Sequence, residues 1–187
     1  TTMKLKFALI AVALALSAAC AQAAPAPTPV IKAPAGEVRG TVMNGMNAYR
    51  GIPYAKPPVG ELRWQPPQPA AHWQGVRDAV AYGSACLQNA DLGVFAKAGG
   101  QEDCLTLNVF TPADMKRGEK LPVLVWIHGG SLFVGQGADY DPSLLVKQRA
   151  IVVTLNYRLG LLGFFAHPAL LANGTPGINY GLMDQSL

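Results

Sequence analysis

The chain has 187 residues, half of them hydrophobic, and carries a formal net charge of +4 at pH 7. That length is sufficient for one domain with a hydrophobic core. Because the basic residues form no block, the composition excludes the electrostatic footprint of a nucleic-acid-binding protein.

The amino-terminal segment, residues 1–23, has the pattern of a secretory signal peptide, with two extra residues before Met3. Two lysines precede an apolar run over residues 7–19, and Ala21-Gln22-Ala23 forms an Ala-x-Ala cleavage site. A membrane span needs about twenty apolar residues, more than this run has, so no membrane span is expected. The sequence therefore predicts an exported protein, periplasmic or secreted. Cleavage before Cys20 and a lipid anchor on its thiol form the alternative.

The next two segments are a linker and the start of a folded domain. Residues 24–35 are rich in proline and alanine, which predicts a stiff tether resembling polyproline. The domain is expected over residues 36–187. Within it, residues 37–43 and 47–52 flank Asn44-Gly45, a strong signal for a β-hairpin.

Two later segments, residues 121–127 and 150–155, are almost continuously apolar, which predicts strands buried on both faces. Residues 141–148 lie between them and predict a short helix with Asp141 as its N-cap. A strand, a helix and a second buried strand indicate a parallel sheet. Residues 105–111 predict a neighbouring strand, and the fold class is therefore α/β.

A glycine-rich loop follows the first of these apolar strands. The sequence His128-Gly129-Gly130-Ser131 lies at the carboxyl end of that strand, where open α/β sheets bind their ligands. Glycines let the backbone approach a substrate, and N–H groups in such a loop can stabilise the oxyanion of acyl transfer. The same residues, taken alone, fit equally well a tight turn that only joins two elements.

Five segments, in order along the chain, resemble the type-B carboxylesterases, a family that includes bacterial esterases and the cholinesterases. They are Tyr49–Ala55 with Pro57-Pro58 and Leu62–Trp64, Glu102–Val109, Trp126–Gly130, Asn156–Gly160 and Asn179–Gln185. The resemblance extends from Gly36 to the last residue. It implies an α/β-hydrolase fold, hydrolysis of a small-molecule ester through a serine acyl-enzyme, and neither a metal nor an organic cofactor.

The cysteines beyond the predicted signal peptide are Cys86 and Cys104. Two cysteines in an oxidising compartment indicate one disulfide, which would stabilise the fold by about 3 kcal/mol. Two free thiols are the alternative. The resemblance implies the disulfide, because both cysteines match the first disulfide of the family.

The resemblance also assigns roles to other positions. Gly129, Gly130 and Ser131 match the loop whose backbone N–H groups contribute to the oxyanion hole, although many members have a third glycine in place of Ser131. His128 is expected to orient this loop. Buried structural ion pairs are implied between Arg50 and Glu102 and between Arg158 and Asp184.

The catalytic nucleophile is the part of the active site that the sequence lacks. No serine stands in a Gly-x-Ser-x-Gly frame, and Ser131 has Phe133 where the second glycine should be. Residues 179–187 predict a helix without a stop signal. We therefore expect an amino-terminal part of the hydrolase fold, truncated after the first part of the central sheet and inactive alone, with the triad downstream. A non-catalytic cholinesterase-like binding or adhesion domain and an inactive truncated product are the alternatives.

Overall fold

The structure is a computed structural model that describes residues 26–89, 97–172 and 178–187. The predicted signal peptide, residues 1–23, lies outside these ranges. Within them, no helix is both long and apolar enough to cross a membrane. The strands in chain order are β1 (Ile31–Ala33), β2 (Gly36–Arg39), β3 (Thr41–Met43), β4 (Met46–Pro53), β5 (Val76–Asp78), β6 (Thr106–Pro112), β7 (Val123–Ile127) and β8 (Ile151–Leu155).

A small sheet at the amino-terminal end has the order β1-β2-β5. It corrects the prediction of a tether over residues 24–35, because β1 pairs antiparallel with β2. Thr28 is also buried, and its N–H donates to the carbonyl of Gly40 at 3.2 Å. Ile31 packs against a buried cluster that includes Val38 and Tyr49. The proline-rich composition therefore led to the prediction of a tether where the chain forms the short strand β1, whose Ile31 packs on the domain.

The larger sheet has five strands in the order β3-β4-β6-β8-β7. The predicted hairpin turn is confirmed: β3 and β4 pair antiparallel around Asn44 and Gly45, whose φ angles are +49° and +75°. The segment predicted over residues 37–43 is instead divided into β2 and β3, which lie in different sheets. Positive φ at both central residues is typical of the type I′ turn. The predicted strand over residues 105–111 is also present as β6, next to β8. The sheet is mixed, since only β7 and β8 run parallel.

The two apolar strands differ in burial, and the prediction for the first one was wrong in that respect. In β8, Val152, Thr154 and Leu155 are buried, as expected. All five residues of β7 are exposed, Val123 to 60%. The reason is that β7 lies at the edge of the described sheet, where β8 is the only described strand that pairs with it, and the described part of the chain leaves both faces of β7 open to solvent. An apolar run predicts that a strand forms, whereas its burial depends on the layers around it.

The described fold also contains four short α-helices: α1 (Ser143–Lys147), α2 (Gly160–Phe164), α3 (Pro168–Ala172) and α4 (Tyr180–Ser186). Two single-turn 3-10 helices span Gly60–Leu62 and Gly137–Asp139. Helix α1 occupies the position predicted between the two apolar strands. The carboxylate of Asp141 accepts a hydrogen bond from the N–H of Ser143 at 2.9 Å, as a capping residue does. Helix α4 corresponds to the helix predicted over residues 179–187, and it packs against α2.

Candidate active site

The glycine-rich loop leaves the carboxyl end of β7 and turns sharply at Gly130. The carbonyl oxygen of Gly130 accepts hydrogen bonds from the N–H groups of Phe133 at 3.0 Å and Val134 at 3.2 Å. Residues 129–131 are exposed, and no described residue accepts a hydrogen bond from their N–H groups. The loop therefore presents three consecutive backbone donors without a partner in the described part of the chain.

Gly130 has a backbone conformation that only glycine adopts easily. Its φ is +115°, and a methyl group built at this position would lie 2.0 Å from the carbonyl oxygen of Val134. Ser131 and Leu132 follow with φ angles of +55° and +66°. Each left-handed residue with a side chain costs roughly 1 to 2 kcal/mol. The serine that stands where many family members have a third glycine therefore occupies a strained position.

His128, at the start of the loop, supports it through its buried ring. Its ring is buried, stacks on the ring of Tyr157 at 4.4 Å, and has Nδ1 2.9 Å from the carbonyl oxygen of Gly129. A carbonyl can only accept, so Nδ1 carries the proton and donates. Burial lowers the pKa of His128, which keeps the ring neutral. Tyr157 donates its hydroxyl proton to the carbonyl of His128 at 2.8 Å and so holds the entry to the loop.

The far side of the loop is held by contacts that sequence reasoning missed. The N–H of Gly160 donates to the carbonyl of Leu132 at 2.7 Å. The side-chain oxygen of Asn156 accepts from the N–H of Gly137 at 2.8 Å. The side-chain oxygen of Gln88 accepts from the N–H of Gly135 at 2.9 Å. Asn156 and Gly160 stand in a segment that the sequence already marked, whereas nothing in the sequence pointed to Gln88.

The structure contains the predicted ion pair of Arg158, in the loop that follows β8, and Asp184, in α4. The side chains are 3% and 0% exposed, and Nη2 lies 2.7 Å from Oδ1. The backbone N–H and the Nε of Arg158 both donate to Oδ2, at 3.0 and 2.8 Å. Burial, together with the negative charge of Asp184, raises the pKa of neighbouring Tyr54, whose hydroxyl donates to the carbonyl of Asn156 at 2.7 Å.

The pairing predicted between Arg50 and Glu102 was wrong. Glu102 pairs with Arg63, with Nη2 2.5 Å from Oε1 and Nε 2.6 Å from Oε2. A bulge in β4 places Arg50 against a different segment, where its backbone N–H donates to the carbonyl of Ala79 and its guanidinium to that of Val80. The missed partner, Arg63, stands in the Leu62–Trp64 segment that the sequence had already marked.

The predicted disulfide is present between Cys86 and Cys104. Both residues are buried in one cluster with Leu105, Tyr157 and Leu159. Tyr157 also contacts His128, so the disulfide packs on the structure that carries the loop. Its position is that of a structural crosslink beside the candidate site.

The chain matches the model of the Carboxylesterase family over residues 27–187. The chain belongs to this family. Among curated proteins, it is 45% identical to the para-nitrobenzyl esterase of Bacillus subtilis over 163 residues, which are 84% of the chain and 32% of that enzyme. It is 42% identical to the acylcarnitine hydrolase of Mus musculus over 168 residues, 81% of the chain and 29% of that protein.

Solved structures of esterases match the fold. A para-nitrobenzyl esterase superimposes with a TM-score of 0.75 at 44% identity, covering 84% of this chain and 33% of the other. The juvenile hormone esterase of Manduca sexta superimposes with a TM-score of 0.74 at 35% identity, covering 86% and 31%. This carboxylesterase chain therefore has an α/β-hydrolase fold and spans about a third of the length of the proteins it matches.

Proposed function

We propose that the full-length protein containing this chain hydrolyses small-molecule carboxylic esters through a serine acyl-enzyme. The observation that carries the proposal is the group of three N–H donors on Gly129, Gly130 and Ser131 that have no partner among the described residues, in a member of an esterase family. When a serine attacks an ester carbonyl, negative charge develops on the carbonyl oxygen. Donors fixed before the reaction stabilise that charge without reorganising.

The loop has the rigidity that this role requires. Donors at an oxyanion are effective only when their positions are fixed, because a misplacement of about 1 Å costs on the order of 10²-fold in rate. His128 fixes the start of the loop, while Gly160 and Asn156 fix carbonyl and N–H groups further along it. We propose that this chain supplies the oxyanion donors, and that the nucleophile, acid and base come from the protein beyond Leu187.

The test begins with the gene. Reading past Leu187 should reveal an in-frame Gly-x-Ser-x-Gly segment, and the full-length protein should hydrolyse p-nitrophenyl butyrate. Replacing the serine of that segment with alanine should abolish the hydrolysis, while thermal unfolding stays unchanged. Absence of the segment, or hydrolysis that survives the substitution, would contradict the mechanism. A folded full-length protein without hydrolytic activity would favour the non-catalytic binding domain.

The chain expressed without the rest of the protein is expected to be inactive. It holds no Gly-x-Ser-x-Gly serine, and its strand β7 presents an exposed apolar edge that favours aggregation. Size-exclusion chromatography of residues 24–187 should show aggregates, and the p-nitrophenyl butyrate assay should give no rate above buffer. Serine-dependent turnover by this chain alone would refute the division of the active site proposed here.

We also propose that the protein is exported, to the periplasm or the medium. The sequence of residues 1–23 and a disulfide compatible with an oxidising compartment support this. Amino-terminal sequencing of the mature protein should begin at Ala24. Labelling with radioactive palmitate would instead reveal a lipid anchor on Cys20.

A further inference from the structure

Gln88 is a buried amide that holds the end of the candidate oxyanion loop. The residue is 8% exposed, and its Oε1 accepts a hydrogen bond from the N–H of Gly135 at 2.9 Å. Its Nε2 lies 3.3 Å from two carbonyl oxygens, those of Gly135 and Cys86, and donates to them. The amide thus forms hydrogen bonds with both the N–H and the carbonyl of Gly135, as the backbone of a neighbouring strand would.

Gly135 links Gln88 to the peptide between Gly129 and Gly130, which carries one of the proposed oxyanion donors. Its φ is +112°, and a methyl group there would lie 2.5 Å from Nδ1 of His128 and 2.7 Å from the carbonyl oxygen of Gly129. Gly135 therefore packs closely on the Gly129 carbonyl. That carbonyl belongs to the same planar peptide as the N–H of Gly130, so a shift of one moves the other.

Gln88 is itself held in place on the opposite side. Its N–H donates to the carbonyl of Gly99 at 2.9 Å, and the N–H of Gly99 donates back to its carbonyl at 2.8 Å. Two residues earlier, Cys86 is crosslinked to Cys104. These contacts fix the backbone from which the Gln88 side chain reaches Gly135.

We propose that Gln88 is a positioning residue for ester hydrolysis. It sets the orientation of the Gly129–Gly130 peptide through Gly135, and with it the aim of the Gly130 N–H at the oxyanion. This role rests on the proposed function. An interaction that matters only when the oxyanion forms affects kcat far more than KM.

The test uses the full-length enzyme with Gln88→Met, which keeps the length of the side chain and removes both kinds of hydrogen bond. We expect kcat per folded enzyme to fall about 10- to 100-fold, with KM within about twofold. Inhibition by an alkyl trifluoromethyl ketone, which forms a tetrahedral oxyanion with the serine, should weaken by the same factor. The matched control is Gln68→Met, whose kcat should not change. Gln68 is exposed, and among the described residues its side chain hydrogen-bonds only to Lys56.

A second variant, Gln88→Glu, keeps the test decisive if Gln88→Met does not fold. An ionised glutamate accepts from the N–H of Gly135 but cannot donate to its carbonyl, whereas a protonated one does both. The ratio of its kcat to that of the wild type at the same pH should therefore rise as the pH falls from about 8 to about 6, since burial favours the protonated carboxyl. A residue needed only for folding would change the melting temperature and leave this ratio flat.

The outcomes separate the two proposals. Suppose that the wild-type and Gln68→Met enzymes are active. If Gln88→Met then keeps the wild-type kcat, or if the kcat ratio of Gln88→Glu does not change with pH, the role of Gln88 is overturned and the proposed function is not. A folded wild-type protein without esterase activity would overturn the proposed function and this role with it.

Discussion

Replacing Asp184 with asparagine is the change for which the structure sets the clearest expectation. Its two carboxylate oxygens accept three hydrogen bonds from Arg158, at 2.7, 2.8 and 3.0 Å, and neither side chain is more than 3% exposed. Asparagine has nearly the same shape but no charge, and one of its ends is a donor. Arginine stays protonated in proteins, so the variant would leave the Arg158 charge buried without a counter-charge. The side-chain NH₂ of the new asparagine would also face the N–H groups of Arg158.

The magnitude follows from that burial. Removing one partner of a buried ion pair costs about 3 to 5 kcal/mol, because the remaining charge lacks compensation. The chain offers a matched control in Asp78→Asn, which breaks the pair with Arg39. That pair has a similar separation, 2.8 Å, but its side chains are 46% and 57% exposed. Exposed pairs contribute about 0.2 to 1 kcal/mol, so the two identical substitutions should differ at least threefold in cost.

The assay is equilibrium unfolding of the full-length protein in urea, followed by tryptophan fluorescence and circular dichroism. Coincident transitions and an unchanged m-value would show that the same two states are compared. The double variant Arg158→Met/Asp184→Leu should recover part of the lost stability, because no charge then remains buried. If Asp184→Asn and Asp78→Asn lower the free energy of unfolding equally, the buried pair does not carry the stability assigned to it.

Two further changes test the site. Gly130→Ala should lower the melting temperature and reduce kcat on p-nitrophenyl butyrate by about 10²-fold or more, because the new methyl group must move away from the Val134 carbonyl at 2.0 Å. In Gly129→Ala the methyl group meets nothing within 4 Å, so the melting temperature should stay unchanged. Equal melting temperatures for the two variants would contradict the close contact at Gly130. Replacing Cys86 and Cys104 together with serine should lower the free energy of unfolding by about 3 kcal/mol for a separation of 18 residues. Dithiothreitol should then destabilise the wild type and leave the variant unaffected.

Features that depend on neighbours in sequence could be predicted, and features that depend on distant segments could not. The hairpin followed from Asn44-Gly45, since the positive φ angles are a local requirement. The exposure of β7 depends on which distant segments cover its two faces, and an apolar run carries no information about them. The partner of Glu102 was missed for a similar reason, because a bulge in β4 turns Arg50 away and Arg63 takes its place.

The candidate site likewise has features set by the local sequence and features set by distant segments. The shape of the loop from Gly129 to Gly135 is set by local backbone conformation, so glycine spacing was enough to find it in the sequence. Its rigidity comes from Tyr157, Asn156 and Gln88, which are 19 or more residues from the groups that they contact and converge only in the folded chain. Since preorganised donors are what stabilise an oxyanion, these supporting residues bear on the rate as much as the glycines do. A search for the residues that tune such a site should therefore start from the contacts of its carbonyl and N–H groups.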